Sequence, residues 1–368
     1  VNSLPDLEEE DRRFQVVVVA TAPESYNLTI QPAPAQVDHF EMKALLSGKT
    51  SHTKYYHHRG IAPYIMTPDV MFCVVDRTGA MLPQHQMEVL TPIGKLCQPK
   101  SIDTLCYESA QRIVTLAGVR KINVAYSGGI DSTLLLAELL KIAPHDQLVV
   151  MMDQHSITEY PDFYTKHIQN KLTTREMSFY SDAPLLDSVK DGIVVTGHLM
   201  DPVFGSGMYS ALSPERLTQK IPELFNELNI YTCEMYTKLI QACPRPLVDV
   251  KDFLWWMDYT LNYQSEQLMW LYDSEELTLE QNFTHFGTGA DWNDYAVSTA
   301  AEEKYFGTDF RQHKMALKKQ LFTFTGDAEY TENKLKVPSW RKYRTNTQRL
   351  QTKPISIRTD WSRGYRVG

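Results

Sequence analysis

Val124-Ala125-Tyr126-Ser127-Gly128-Gly129-Ile130-Asp131-Ser132-Thr133 joins an apolar strand to an apolar helix through a turn of small residues. Residues 122–126 read as a buried strand, and the leucine-rich 134–140 as the opening of a helix. The two glycines can take backbone angles closed to other residues, and the hydroxyls of Ser127, Ser132 and Thr133 accompany them. Such a turn can aim successive N–H groups and a helix N-terminus at an anion. Asp131 then has a use, because a carboxylate beside phosphate oxygens holds Mg²⁺. The turn has no lysine before its Ser/Thr, so it is not a Walker A loop.

Outward from this turn the chain alternates helix and strand. Residues 103–116 have helical spacing, 148–152 form an apolar strand, 162–171 suit a helix, and 192–197 form a third strand ending in glycine. Repeated β-α-β predicts an α/β fold, a parallel doubly wound sheet with helices on both faces. Ligands of such sheets bind at the carboxyl ends of strands, where the turn at Ser127 and the loop from Gly197 to Gly207 both fall. From residue 214 the chain reads as helical, with one long amphipathic run over 214–240 and another over 249–272. Leu254, Trp255, Met257, Leu261, Leu268 and Leu271 on the second suit core packing. Before residue 100 the texture is mixed or β-rich: strands at 14–20 and 70–75, a turn at Asp76-Arg77-Thr78-Gly79, and a short return strand at Ala80-Met81-Leu82. The expected layout is an amino-terminal domain over 1–100, a second domain over 101–340 and a tail over 341–368.

Composition narrows the classes. Of the 368 residues 43% are hydrophobic and 22% charged, as in ordinary globular proteins. No apolar run approaches the roughly 20 residues that span a bilayer, so no membrane partner is expected. The first residues, Val1-Asn2-Ser3-Leu4-Pro5, lack a basic and an apolar signal region, and a cytoplasmic setting is the expectation. Cys73, Cys97, Cys106, Cys233 and Cys243 are odd in number and none are paired as C-x-x-C. That argues against a disulfide framework, a zinc ribbon and a dithiol redox site. His52, His57 and His58 lack a further ligand at metal-site spacing.

The net charge of −8 is uneven. Acidic residues gather at Glu8-Glu9-Glu10-Asp11, while the tail carries Arg341, Lys342, Arg344, Arg349, Lys353, Arg358, Arg363 and Arg366 among Trp340, Tyr343, Trp361 and Tyr365. It reads first as a strap across an acidic enzyme, and a nucleic-acid contact through its cations and rings stays open.

The Ser127-Gly128-Gly129-Ile130-Asp131-Ser132 string resembles the pyrophosphate-binding loop of the N-type ATP pyrophosphatases, which cleave ATP to AMP and pyrophosphate. Gly197, Asp201, Phe204 and Gly205, in that order after a strand, are similar to the second loop of the asparagine synthetase branch. The resemblance covers roughly residues 100–340. It implies that Ser127, Gly128, Gly129, Asp131, Ser132, Thr133 and Gly197 bind the nucleotide, and that Asp131 and Asp201 hold Mg²⁺. Pro202 stands where the family carries a second acidic residue.

Further along, 153–166 with Glu159 resembles the family segment that approaches the adenosine. Residues 309–320, with Arg311, Lys314, Lys318 and Lys319, resemble its basic helix, and 330–339 its late lysine-containing loop. Lys314 and Lys334 are the implied catalytic lysines, with Lys336 next. The implied reaction adenylates a small-molecule carboxylate with ATP and Mg²⁺, then forms an amide with ammonia or an amine. The family's glutamine-hydrolysing members begin with a nucleophilic cysteine, whereas Val1 stands here and the first cysteine is Cys73. Residues 1–100 are then a degenerate glutaminase-like domain, and the nitrogen comes from outside. The absent cysteine pairs disfavour sulfur-transfer relatives. Two alternatives remain at this stage: ATP-dependent modification of a base in a nucleotide or nucleic acid, and a non-catalytic nucleotide-binding or assembly protein, suggested by Pro202. Asn293, Asp294 and Tyr295, in a loop over 287–295, are candidate pocket residues for the acceptor.

Overall fold

The structure is a computed structural model that describes residues 76–80, 89–177, 190–205, 214–226, 230–268, 277–300, 304 and 310–334, and three strands before residue 74. Those strands, β1 (Lys54–Tyr56), β2 (Tyr64–Met66) and β3 (Met71–Cys73), form an antiparallel sheet. The strand expected at 14–20, the three histidines and the tail lie outside the described residues.

The larger sheet has five parallel strands in the order β6-β5-β4-β7-β8: Thr173–Glu176, Leu148–Met152, Lys121–Ala125, Gly192–Thr196 and Phe283–His285. Register places Ala125 level with Met151 and Thr196, so the three inner strands end together. The chain builds outward from β4 through β5 to β6, then returns to lay β7 and β8 on the other side. Strand order thus reverses between β4 and β7, which is where open α/β sheets form a crevice.

Apolar alternation decides what covers the sheet. Ile122, Val124, Leu148, Val150, Ile193 and Val195 share one core with α1 (Ile102–Ala117) and α2 (Ile130–Ile142). On the opposite face Ala125, Met151 and Val194 meet Leu90, Met177, Leu277 and Leu279, which supply the cover among the described residues. Asn123 in central β4 is fully buried, and its amide donates to the Ile193 carbonyl at 3.2 Å. Between β5 and β6 the chain forms α3 (Gln154–Glu159), the short helical turn Pro161–Phe163 and a wide turn over Tyr164–Ile168, where an unbroken helix over 162–171 is expected from spacing.

After α4 (Met200–Phe204) the anticipated run over 214–240 is three helices, Pro214–Thr218, Ile221–Phe225 and Ile230–Gln241. Pro222 explains one break: a residue without an N–H is tolerated in a first turn but not inside a helix, so a new helix starts there. The run over 249–272 begins at Asp249, which caps α5 (Val250–Met257), and passes through a wide turn at Asp258–Asn262 into Tyr263–Leu268. Trp255, Trp256, Tyr259 and Tyr263 are core residues, and both indoles donate to carbonyls, of Val203 at 3.2 Å and Leu239 at 2.7 Å. Beyond β8 come α6 (Ala290–Ser298), α7 (Met315–Thr325) and α8 (Ala328–Asn333). None of the described helices is long and apolar enough to cross a membrane.

The turn at Asp76–Gly79 forms as expected, closed by the Gly79 N–H on the Asp76 carbonyl at 3.2 Å. Arg77 within it is buried, donating to the carbonyls of Thr91, Pro92 and Tyr259 and to Asn293 Oδ1 at 2.5–2.9 Å. Its guanidinium lies 4.6 and 4.1 Å from the ring centres of Tyr259 and Tyr263. Segment 89–100 continues this seam, with Lys95 and Cys97 amides donating to Asp294 and Ser298 on α6. A division at residue 100 therefore falls inside a bonded segment.

A methyl group on Gly192 would stand 2.3 Å from the Lys121 carbonyl oxygen and 2.7 Å from Asn123 Nδ2, forcing β4 and β7 apart. Gly118→Ala meets no neighbour and strains only its own backbone, at φ +56° and ψ −118°. Urea unfolding is expected to show a loss of at least about 2 kcal/mol for Gly192→Ala against about 1 kcal/mol for Gly118→Ala. Equal losses would mean that the two strands do not approach this closely.

Candidate functional site

At the end of β4 the Tyr126 N–H donates to the Met151 carbonyl at 2.8 Å, and the chain then turns into α2. Gly128 has φ +77°, and a Cβ there would lie 2.2 Å from the Ser156 carbonyl oxygen, so only glycine fits. Ser132 Oγ accepts from the Ser127 amide at 3.1 Å, donates to the Gly129 carbonyl at 3.2 Å and stands 3.1 Å from Ser127 Oγ. Both hydroxyls are thus held at the mouth of α2. The first helical bond, Thr133 N–H to Gly129 carbonyl, is 2.9 Å long, and Thr133 is buried.

Capping separates this helix from four others of the fold, although α6, with Gly289 at its N-cap, also lacks a side-chain cap. Ser101 caps α1, Asp153 caps α3, Asp249 caps α5 and Asp327 caps α8, each accepting an amide of its own first turn. The helices that start beside the crevice, α2, α4 and α7, have Gly129, Leu199 and Lys314 at the N-cap, with no side-chain cap. Their first amides carry the positive end of each helix dipole.

The second loop approaches the first as closely as backbone allows. A Cβ on Gly197 would lie 2.7 Å from the Asp131 carbonyl carbon and 2.8 Å from the Ser132 nitrogen. Leu199 follows with φ +80°, a left-handed conformation that a leucine adopts only under constraint. Part of that constraint comes from β8. His285 Nε2 faces the Gln267 carbonyl at 2.8 Å, so it must carry hydrogen, and Nδ1 accepts from the Thr196 hydroxyl at 2.6 Å. Thr196 Oγ1 in turn accepts from the His198 amide at 3.2 Å. Asp201 sits in the first turn of α4, whose Pro202, Val203 and Phe204 are buried.

Lys314 closes the site. Its ammonium is 2.5 Å from Asp131 Oδ2 and 2.8 Å from Asp201 Oδ1, and the side chain is 3% exposed. Burial alone would push the ammonium down; Asp131 and Asp201 outweigh it and hold it up at about 12. Lys314 has φ +52° and places its charge at a helix N-terminus, both locally unfavourable. The carboxylate contacts offset these costs.

Lys334 lies on the other flank. It pairs with Glu159 Oε1 at 2.9 Å and donates to the Glu159 carbonyl at 3.1 Å. Glu159 Cβ is itself 2.8 Å from where a Gly128 Cβ would stand, so this pair backs the first turn. Tyr160 stacks on Tyr330 nearby, and its hydroxyl donates to Asp327 at 2.7 Å. Lys318, buried in α7, donates to the Arg311 carbonyl at 2.6 Å and reaches the Lys334 carbonyl at 3.5 Å, linking the segments that carry the two lysines.

The structure therefore gathers Ser127, Gly128, Gly129, Asp131, Ser132, Thr133, Gly197, Asp201 and Lys314 at the reversal of strand order, with Lys334 one residue removed, behind Glu159. Lys319 is exposed, and Lys336 lies outside the described residues. Asn293 is corrected: it is on helix α6, fully buried, and accepts from Arg77 and from the Tyr259 hydroxyl. The roles of Thr196 and His285 carry no sequence signal, because a strand threonine and a lone histidine have no motif.

Two carboxylates that converge on one ammonium can converge on one small cation. Mg²⁺ keeps several waters and takes one or two carboxylates together with phosphate oxygens, so this donor set suits it. Among the described residues no group of three or more His, Cys, Asp or Glu is arranged to hold a metal, which disfavours a closed structural zinc centre there.

Burial pushes His285 down to about 3, and burial with the nearby Lys314 charge takes His198 down to about 4 against the pull of Asp201. Both rings are neutral at pH 7, while an unfolded histidine gains its proton near 6.5. The unfolded chain thus binds more protons below that pH, and stability, complete above it, falls as pH drops. Between pH 7 and 5 His285 alone should account for roughly 2 kcal/mol. Urea midpoints at the two pH values are expected to show a smaller acid loss for His285→Asn than for the parent chain. Identical losses would place the proton on folded His285. No protein-family model matches the chain, and no curated protein matches it.

Proposed function

We propose that this chain is an ATP-dependent ligase that releases AMP and pyrophosphate while joining a carboxylate to ammonia or an amine. The carrying observation is the meeting of Ser127–Ser132 hydroxyls, an uncapped α2 and the Asp131–Lys314–Asp201 cluster where the strand order reverses. The resemblance of both loops to the asparagine synthetase-like ATP pyrophosphatases supplies the reaction class, and the adenine nucleotide hydrolase-like fold belongs to the same reading.

The chemistry follows from charge. A triphosphate needs donors and cations, and the α2 amides with Ser127 and Ser132 provide donors fixed before it arrives. Asp131 and Asp201 would hold Mg²⁺, which when bound offsets triphosphate charge. The substrate carboxylate attacks the α-phosphorus; a P–O bond forms to it and the bond to the β-phosphate oxygen breaks. Charge moves onto the departing pyrophosphate, where the α2 terminus and Lys314 stabilise it. An amine then attacks the activated carbonyl, loses a proton, and AMP leaves. Pro202 supplies no second carboxylate, so the metal role falls to two aspartates. Lys334 with Glu159 sits on the flank from which the nucleotide base and acyl group would be reached.

ATP–pyrophosphate exchange, screened over carboxylic acids, tests this. An acid that drives exchange identifies the adenylated substrate. Asp131→Asn and Asp201→Asn are each expected to slow exchange at least about 100-fold, the scale of losing one transition-state charge partner, read at a temperature where circular dichroism shows the substituted chain folded. Ser132→Ala should lose less, about 10-fold. Production of ADP and phosphate would overturn the proposal.

A further inference from the structure

We infer that Lys314 is an internal counter-ion that a divalent cation must displace from Asp131 and Asp201, so that the cation and a polyphosphate bind cooperatively. This deepens the reading of the two aspartates as a Mg²⁺ site and rests on it. The ammonium nitrogen stands 2.5 and 2.8 Å from the two carboxylates, inside the space a cation on the same oxygens would need. One position cannot hold both, so binding the metal expels the lysine.

Lys314 is held there by its partners and not by its backbone. It is a non-glycine residue at φ +52° and places positive charge on the N-terminus of α7. Both features oppose its resting place, and once a dication satisfies the carboxylates nothing local favours return. The released ammonium, 3% exposed at rest, then needs an anion. In the reading proposed above that anion is held at the uncapped start of α2, with Asp131 in its first turn and both serine hydroxyls at its mouth. A metal ion alone must therefore evict a buried cation with no anion to receive it. A polyphosphate alone meets two carboxylates that share one ammonium between them. Together each removes the other's obstacle, which is a coupling free energy between two ligands. Lys318 adds a route for the motion to reach Lys334, since it bonds the carbonyls of Arg311 and Lys334 from the middle of α7.

The test uses Mn²⁺ alone, with no nucleotide, titrated into the full chain while free Mn²⁺ is followed by electron paramagnetic resonance. Lys314→Gln removes the competing charge and is expected to bind Mn²⁺ at least tenfold more tightly than the parent. Lys314→Arg, which keeps a cation, should remain as weak as the parent, and adding Asp131→Asn to Lys314→Gln should abolish the gain. Removing the ammonium leaves two facing carboxylates, so thermal midpoints provide a second readout: Mn²⁺ should raise that of Lys314→Gln more than that of the parent. Equal or weaker binding by Lys314→Gln, no binding by either chain, or a substituted chain whose fold saturating Mn²⁺ does not recover, would overturn the latch. Pyrophosphate exchange that no acid drives would sink the ligase instead, because the ion affinities are read without ATP.

Discussion

A buried ammonium needs counter-charge, and Lys314 has it from two carboxylates that arrive on different elements. Asp131 comes from the first turn of α2, Asp201 from the first turn of α4, and Lys314 from the N-cap of α7. Segments separated by 70 and 113 residues in sequence, from the positions 131, 201 and 314, are thereby drawn to one point. Removing either aspartate would leave a buried cation half compensated, and removing the lysine would leave like charges facing each other. The arrangement couples the sheet's two central loops to the carboxyl-terminal helices.

What lets the loops meet is the strand order. β4 and β7 are neighbours although β5 and β6 lie between them in sequence, and their common register ends both at the same level. Close approach then depends on missing side chains. Gly192 lets the two strands pair, Gly197 lets the second loop lie against the Asp131–Ser132 peptide, and Gly128 admits the Ser156 carbonyl. The buried polar atoms of the sheet are met internally, as Asn123 shows by bonding the Ile193 carbonyl. A rigid frame of this kind is what a preorganised anion site requires.

The central strands and α1 were legible because their signals are local: apolar runs for β4, β5 and β7, and helical spacing over 103–116 for α1. The residues gathered at the crevice were legible because most of them fall in two short motifs that directly follow strands. What failed to show depended on tertiary partners. Periodicity does not foretell that Pro222 starts a new helix, or that the chain widens at Tyr164–Ile168 and Asp258–Asn262. A turn of Asp, Arg, Thr and Gly suggests a surface, and yet Arg77 within it is buried because Tyr259, Tyr263 and Asn293, from 182 to 216 residues on, surround it with acceptors and rings. Asn293 looked like a pocket residue for the same reason: its polarity is spent on Arg77 and Tyr259, which no local window contains.

The distribution of local misfits argues for where function resides. Helices α1, α3, α5 and α8 begin with ordinary side-chain caps and α6 with an uncapped Gly289, while those that open onto the crevice begin with Gly129, Leu199 and Lys314, two of them left-handed and one carrying the wrong charge for its place. The misfits at Leu199 and Lys314 are tolerated because partners oppose them: Thr196, bonded to His285 of β8, receives the His198 amide ahead of Leu199, and Asp131 and Asp201 hold Lys314. A chain selected for stability alone would cap these termini and relax these residues. Leaving three helix starts uncapped around two carboxylates and a lysine costs stability and keeps donors and charge available. That trade accords with the proposal that the crevice receives an anion and a cation together.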